Sequence, residues 1–105
     1  MIAVIFEVKP KKDSKEVYFS KARQLREFLE QIDGFISVER FESLTNPDNL
    51  LSLSFWRDEQ AVRSWKCQFQ HRNAQQLGRD KLFDHYRIRV AKVIKDYDID
   101  RDDEN

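Results

Sequence analysis

Two β-type segments of this chain are apolar on both sides, and nothing else in the sequence constrains the fold as tightly. Between Met1 and Val8, the side chains of Ile2, Val4, Phe6 and Val8 point one way while Met1, Ala3 and Ile5 point the other, because successive residues of a strand alternate. Leu50 to Trp56 repeats the pattern. Leu51, Leu53 and Phe55 form one face, and on the other Leu50 and Trp56 bracket Ser52 and Ser54. A sheet with one wet face would alternate polar with apolar residues. A sheet built from these segments needs cover on both faces.

The helical segments supply cover for one face. After the turn Pro10-Lys11-Lys12-Asp13-Ser14, in which Asp13 or Ser14 is placed to cap, the apolar positions Tyr18, Ala22, Leu25, Leu29 and Ile32 make one stripe at spacings of three and four. This predicts a helix from about Glu16 to Gln31, ended by Gly34. A second helix is expected to open after the capping residue Asp58, with Val62, Trp65 and Phe69 on its inner side and a break near Gln70 or His71. Asn73 to Leu77 reads as a further short helix closed by Gly78.

Two more strands complete the pattern. Phe35 to Leu44 has no clean apolar face, which predicts a bulge or bend in its middle. The turn Asn46-Pro47-Asp48-Asn49 joins it to Leu50–Trp56. Leu82 to Ile94 is expected to form the last strand, with Tyr86, Ile88 and Val90 on one face and Arg87, Arg89, Ala91 and Val93 on the other. The order β-α-β-β-α-β gives a four-stranded antiparallel sheet with both helices on one side, the ferredoxin-like α+β arrangement. The other face then requires a second layer, and the same sheet from a second copy meets that need, so a homodimer through sheet faces is expected. The domain is placed at residues 1–97, followed by an acidic, frayed tail at 98–105.

Several function classes are disfavoured by composition. The chain has 105 residues, enough for one core and no second domain. Its 19 basic and 19 acidic residues cancel, and the basic ones are interspersed with acids and form no stripe, which argues against nucleic acid as a partner. The apolar amino terminus stops at Glu7, and no stretch approaches the roughly 18 apolar residues of a membrane span. The expected location is the cytoplasm, with no membrane partner. Cys67 is the only cysteine, which excludes an intrachain disulfide or a cysteine-based metal cluster. It is expected to be buried or semi-exposed and inert.

Candidate site residues are sparse. His71 lies among Gln68, Gln70, Arg72 and Asn73, a polar junction where an imidazole could act as base or ligand, or simply hold a neighbouring backbone group. His85 reads as structural. The two histidines form no metal signature, and Gly34 and Gly78 cannot make a phosphate loop. Trp65 falls on the inner stripe of the second helix and is most simply core. The alternative puts it on a pocket wall with Trp56, presenting an aromatic surface to a flat apolar ligand.

Three stretches carry a family resemblance: Gly34-Phe35-Ile36-Ser37-Val38-Glu39-Arg40-Phe41-Glu42-Ser43, then Ser54-Phe55-Trp56-Arg57-Asp58-Glu59-Gln60-Ala61-Val62-Arg63-Ser64-Trp65, then His71-Arg72-Asn73-Ala74-Gln75-Gln76-Leu77-Gly78-Arg79. In order and spacing, with Tyr86 to Ala91 as a closing strand, they resemble the antibiotic biosynthesis monooxygenase family. The resemblance implies a dimeric α+β barrel of two ferredoxin-like subunits. It also implies cofactor-independent oxygenation of aromatic or quinone-precursor substrates, or haem opening; the competing reading is a non-enzymatic dimeric protein that binds a small aromatic molecule or serves as an interaction module.

For the oxygenase, the implied roles are His71 as catalytic base, Trp65, Trp56 and Phe69 as pocket aromatics, and Arg87 or Arg89 offsetting oxyanion charge. No flavin, metal or other cofactor is called for. The haem-degrading branch carries a proximal histidine about ten residues after the helix tryptophan and an asparagine on its first strand. Here those positions hold Gln75 and Phe6 or Glu7, and both departures count against haem opening, with His71, one helical turn earlier, as the substitute ligand.

Overall fold

The computed structural model describes the backbone of residues 1–72 and 83–100 and the side chains of residues 1–68 and 84–100. Six elements follow in the expected order: β1 (Ile2–Pro10), α1 (Lys15–Leu29), β2 (Phe35–Glu42), β3 (Leu50–Trp56), α2 (Glu59–Arg72) and β4 (Phe83–Lys92). They build a four-stranded antiparallel sheet in the order β2-β3-β1-β4. The ferredoxin-like α+β fold read from the sequence is the fold observed.

Register fixes which residues share a face. Ile2 lies opposite Trp56 and Lys92, Val4 opposite Ser54 and Val90, and Val8 opposite Leu50 and Tyr86. Cross-strand partners point the same way. Ile2, Val4, Val38 and Trp56 therefore form one sheet face, and they pack with Leu29, Ile32, Ala61, Val62 and Trp65 into the main core. Both helices cover this face. A smaller cluster of Val8, Tyr18 and Leu50 continues it beneath the start of α1.

Helix α1 buries Tyr18, Ala22 and Leu29 of the expected stripe. Its start and end differ from expectation. Ser14 occupies the N-cap position without a side-chain cap hydrogen bond, and the helix stops at Leu29. Backbone bonds from Gln31 N to Phe28 O and from Ile32 N to Leu29 O tighten the turn that follows. Gly34, at φ +93°, instead turns the chain into β2.

The mixed character of β2 has two causes. The register shifts between Phe35 and Ser37, so the irregularity falls at Ile36, at the start of the strand and not in its middle. Arg40 then points to the helix side, where its Nη2 donates to Ala22 O at 3.2 Å. Beside it, burial pushes the Tyr18 phenol above its ordinary value of 10.0, partly offset by the charge and hydrogen bond of Arg40.

The folded state thus holds this proton more tightly than the unfolded chain. The associated stability is fully present below the ordinary phenol range and is lost as pH rises through the folded value. An ultraviolet titration of the native protein is expected to show a late-ionising phenol that is absent in Tyr18→Phe. A variant curve that loses an early-ionising phenol instead would contradict the assignment.

Helix α2 runs to Arg72, past the expected break at Gln70 or His71. Glutamine and arginine are good helix formers, so a polar end is a solvated turn and need not be a stop. The expected short helix at Asn73–Leu77 and its closing Gly78 lie outside the described residues.

The outer face of the sheet carries Ala3 and Ile5 from β1, Leu51, Leu53 and Phe55 from β3, Phe41 from β2, and Arg87, Arg89 and Ala91 from β4. Ala3 is buried, Ile5 and the three β3 residues are half-buried, and Phe41 is exposed. Among the described residues, no helix packs on this side. No helix among the described residues is long and apolar enough to cross a membrane.

Candidate functional site

The start of α2 is anchored by a compact polar tether. Asp58 accepts from Ala61 N at 2.9 Å and so caps the helix as the sequence predicts. Arg57 makes a two-pronged contact with Asp33, at 3.3 and 3.0 Å, and its Nε donates to Asp58 at 3.0 Å. The Ala61 N–H, and then Arg57, hold the Asp58 carboxyl below the usual carboxylate range. The Arg57 hydrogen bond does the same for Asp33. These groups are exposed, so the tether fixes direction more than it adds stability. It sets the line along which α2 lays Trp65 on the sheet.

Trp56 closes β3 with a relative exposure of 0%. Its indole N–H donates to Ser54 Oγ at 2.9 Å. Trp65 is also buried and packs on Trp56 with ring centroids 6.1 Å apart, while Phe35 meets Trp56 edge-on at 5.3 Å. Trp56 is therefore a core residue whose one polar group is already bonded inside the protein. Trp65 likewise stands in the core cluster.

The remaining candidates separate by position. Arg87 pairs with Glu7 and Arg89 with Ile5 in the register, which places both arginines on the outer face, opposite the tryptophans. Arg89 Nη1 forms an ion pair with Glu7 at 2.8 Å. His71 lies in the last turn of α2, and Phe69 just before it. The side chains of both lie outside the described residues. His85, opposite Lys9, is exposed on the outer side. Cys67, expected buried or semi-exposed, is exposed because it lies off the Val62–Trp65 stripe.

A second group, not singled out from the sequence, lies on the helix side over β1 and β4. Phe6 and Ile88 are opposite one another and pack against the main core. Tyr86 meets Phe6 edge-on with centroids 5.8 Å apart. Tyr86 and Val90 remain exposed although they point to the helix side. The alternation Tyr86, Ile88, Val90 was visible in the sequence, but only the register assigns it to the face that α2 covers in part.

Two concavities lie on the described surface. One of about 470 Å³ runs between the end of α1 and α2, past Phe28, Ile32, Gln60, Ser64 and Gln68. The other, about 160 Å³, is a notch at the free edge of β2 walled by Tyr18, Phe19, Phe41 and Leu50, with Arg40 and Glu42 beside them. Neither is lined by Trp56 or Trp65. Among the described residues, no cluster of three or more His, Cys, Asp or Glu side chains is arranged to hold a metal ion. The haem alternative rests on His71, because Gln75 stands where that branch carries its histidine; the side chains of both lie outside the described residues. Phe6, on the strand where that branch carries an asparagine, is an apolar contact of Tyr86.

Residues 1–77 match the family model described as antibiotic biosynthesis monooxygenase. The chain belongs to that family. Among curated relatives of this family member, a protein of Pyricularia oryzae named jasmonate monooxygenase ABM is 44% identical over 93 residues, covering 89% of this chain and 43% of the relative. The chain thus spans less than half of that protein's length. An uncharacterised Bacillus subtilis protein, YqjZ, is 31% identical, with 87% of this chain and 77% of the relative covered. A solved Mycobacterium tuberculosis structure superimposes with a TM-score of 0.77 at 18% identity, over 92% of this chain and 98% of that one. A Methanosarcina mazei Go1 protein gives 0.74 at 20% identity, over 87% and 90%. At these identities the two structures speak to the fold.

Proposed function

We propose that this family member is a small monooxygenase whose substrate, an apolar ring compound of aromatic or quinone-precursor type, lies on the helix side of the sheet against Phe6, Tyr86, Ile88 and Val90. The observation that carries this reading is the exposure of Tyr86 and Val90 on a face otherwise occupied by core. An apolar surface beside a packed aromatic core suits a flat ligand. The name of the Pyricularia relative supports oxygen insertion into a small organic molecule.

His71 is the proposed base. Helix α2 begins three residues after Trp56, at the Ile2 end of the sheet. Its 14 residues reach about 21 Å at 1.5 Å per residue. That equals the roughly 20 Å back to the Val8–Tyr86 end, so a helix running back along the sheet would carry its last turn to the level of Tyr86. An imidazole ordinarily titrates near 6.5 and so accepts a proton near neutrality.

In the proposed reaction the base removes a proton from an activated ring carbon or phenol, and the resulting anion donates electrons to O₂. When a ring CH₂ becomes C=O, one oxygen atom enters the product and the other leaves as water with the two hydrogens. The substrate is the reductant, so no external donor is required. Trp65 would serve as the floor beneath this surface, and Arg87 and Arg89 remain on the opposite face.

The reading includes a homodimer through the outer faces, supported by the half-buried Ile5, Leu51, Leu53 and Phe55. A monomeric mass at tens of micromolar would overturn that part.

The activity test is oxygen uptake with a panel of hydroquinones, anthrone-type ketones and jasmonate. Uptake with at least one compound is expected, falling about 100-fold or more in His71→Ala with unchanged thermal unfolding. Uptake identical in His71→Ala would remove the base role, and no uptake across the panel would sink the oxygenase reading.

A further inference from the structure

Arg87 and Arg89 stand on the outer face, so neither serves the proposed substrate surface. Arg40 stands on the helix side. Register aligns Arg40 with Ser52, Ser52 with Phe6, and Phe6 with Ile88, so these four side chains form one row across all four strands. Phe6 and Ile88 belong to the surface proposed for the substrate ring. The row therefore leads from that surface to a guanidinium.

The fold leaves part of this guanidinium unused. Its Nη2 donates to Ala22 O at 3.2 Å, and the group also bonds the Tyr18 hydroxyl. Its Nε is buried and has no hydrogen-bond partner among the described residues. No carboxylate among them pairs with Arg40; Glu42, two residues along the same face of β2, is paired with Lys15 at 3.1 Å. A buried donor left unmet costs about 1–3 kcal/mol, and more when charged. Native structures nearly always meet such donors from protein, water or ligand.

Ser52 keeps the row open. It is half-buried, whereas Ser54, two residues on, is buried and bonded to Trp56. A long side chain at position 52 would fill the space between Arg40 and Phe6. A hydroxyl leaves that space open and polar.

Distance decides what Arg40 can bind. β2 and β4 are three strand spacings apart, about 14 Å, more than an arginine side chain spans. Arg40 is therefore too far to hold an oxygen at a reacting carbon over Tyr86 and Ile88. It can hold a second, separate group of the same molecule.

We infer that Arg40 is the specificity-determining residue of this surface, and that it binds a carboxylate carried on a short chain away from the ring. The substrate class is then an amphipathic acid, its ring on Phe6 and Ile88 and its chain over Ser52. A guanidinium edge presents two N–H groups in a fork that matches a carboxylate, and the unmet Nε–H belongs to such an edge. Nε is covered in the free protein, so binding includes a side-chain adjustment at Arg40, a common accompaniment of association. The inference rests on the oxygenase reading for the place of the ring and adds the substrate class to it.

The test measures binding to the full chain by isothermal titration calorimetry. The probes are phenylacetate, phenylpropanoate and phenylbutanoate, each beside its neutral primary amide. At least one acid is expected to bind about tenfold or more tightly than its amide. In Arg40→Gln that preference is expected to vanish. Tyr18→Phe, which removes a structural bond of Arg40 and leaves its charge, is expected to keep it. Arg40→Lys keeps the charge and loses the fork; it is expected to bind the acid about tenfold more weakly with amide affinity unchanged, and it decides the matter if Arg40→Gln fails to fold.

A purely structural Arg40 would lower the melting temperature in these variants and leave the acid-to-amide ratio unmoved. That result overturns the inference, as does equal binding of acids and amides, or no binding of any acid, in the unaltered protein. Oxygen uptake alongside any of those outcomes leaves the oxygenase reading standing. An acid preference that depends on Arg40, with no uptake across the earlier panel extended by these acids, keeps the site and sinks the oxygenase.

Discussion

Trp56→Ala is expected to lower the unfolding free energy by about 3–5 kcal/mol, the range for deleting a buried aromatic side chain. Trp56 is fully buried, sits between Phe35 and Trp65, and belongs to the cluster that joins β1, β2, β3, α1 and α2. Its removal opens a void that no single neighbour can fill, because the rings on either side come from different elements. In a domain of about 100 residues, each kcal/mol shifts the melting temperature by roughly 4–8 °C. The loss should therefore be read as a fall of more than about 10 °C.

Trp56→Phe separates the two roles considered for this side chain. It keeps an aromatic ring but removes the donor to Ser54 Oγ, so a smaller cost of about 1–3 kcal/mol is expected. A core residue predicts that Trp56→Phe lowers stability while the KM of any turned-over substrate is unchanged. A pocket wall predicts the reverse. A raised KM with an unshifted melting temperature would return Trp56 to the substrate surface.

The contrast between Trp56 and the arginines of β4 shows where sequence reading stops. The apolar alternation of β1 and β3 and the stripe of α1 depend on neighbours within a few residues; they appear in the structure, with Ile32 buried just beyond the end of the helix. Asp58 as the cap of α2 is equally local. Which face Arg87 and Arg89 share with β1 depends on hydrogen-bond register between segments some 80 residues apart, and alternation alone leaves that open. Grouping them with Trp65 required both faces to be one.

Arg40 illustrates a different limit. A charged residue at a helix-facing position looked like a break in the pattern of β2, but its long side chain reaches Ala22 O and the Tyr18 hydroxyl. The patch formed by Phe6, Tyr86 and Val90 was obscure for a third reason. An apolar residue left exposed looks in sequence like a covered one, and only the fold tells Tyr86 and Val90 from Ile88.

Gly34→Ala is expected to destabilise the protein by about 2–6 kcal/mol through two separable effects. At φ +93° a residue with a Cβ is strained, which costs on the order of 1–3 kcal/mol. A Cβ built there would also fall 2.6 Å from the Cβ of Ala61, well inside contact distance. Relief requires moving α2 or the turn, at a further cost of about 1–3 kcal/mol for overpacking. The turn has little freedom, because Gly34 O accepts from Arg57 N at 2.7 Å and Arg57 is tied to Asp33 and Asp58.

A double-mutant cycle with Ala61→Gly divides the two effects. Ala61→Gly alone should cost up to about 1 kcal/mol in helix propensity. Combined with Gly34→Ala it should restore the packing part and leave the backbone strain, a favourable coupling of about 1–3 kcal/mol between the sites. Strict additivity would mean that the two groups do not collide, and that α2 is not set on the sheet by this contact. Because the same contact fixes the line of α2, Gly34→Ala should also disturb the seating of Trp65, detectable as a shift in tryptophan emission that the Ala61→Gly change reverses.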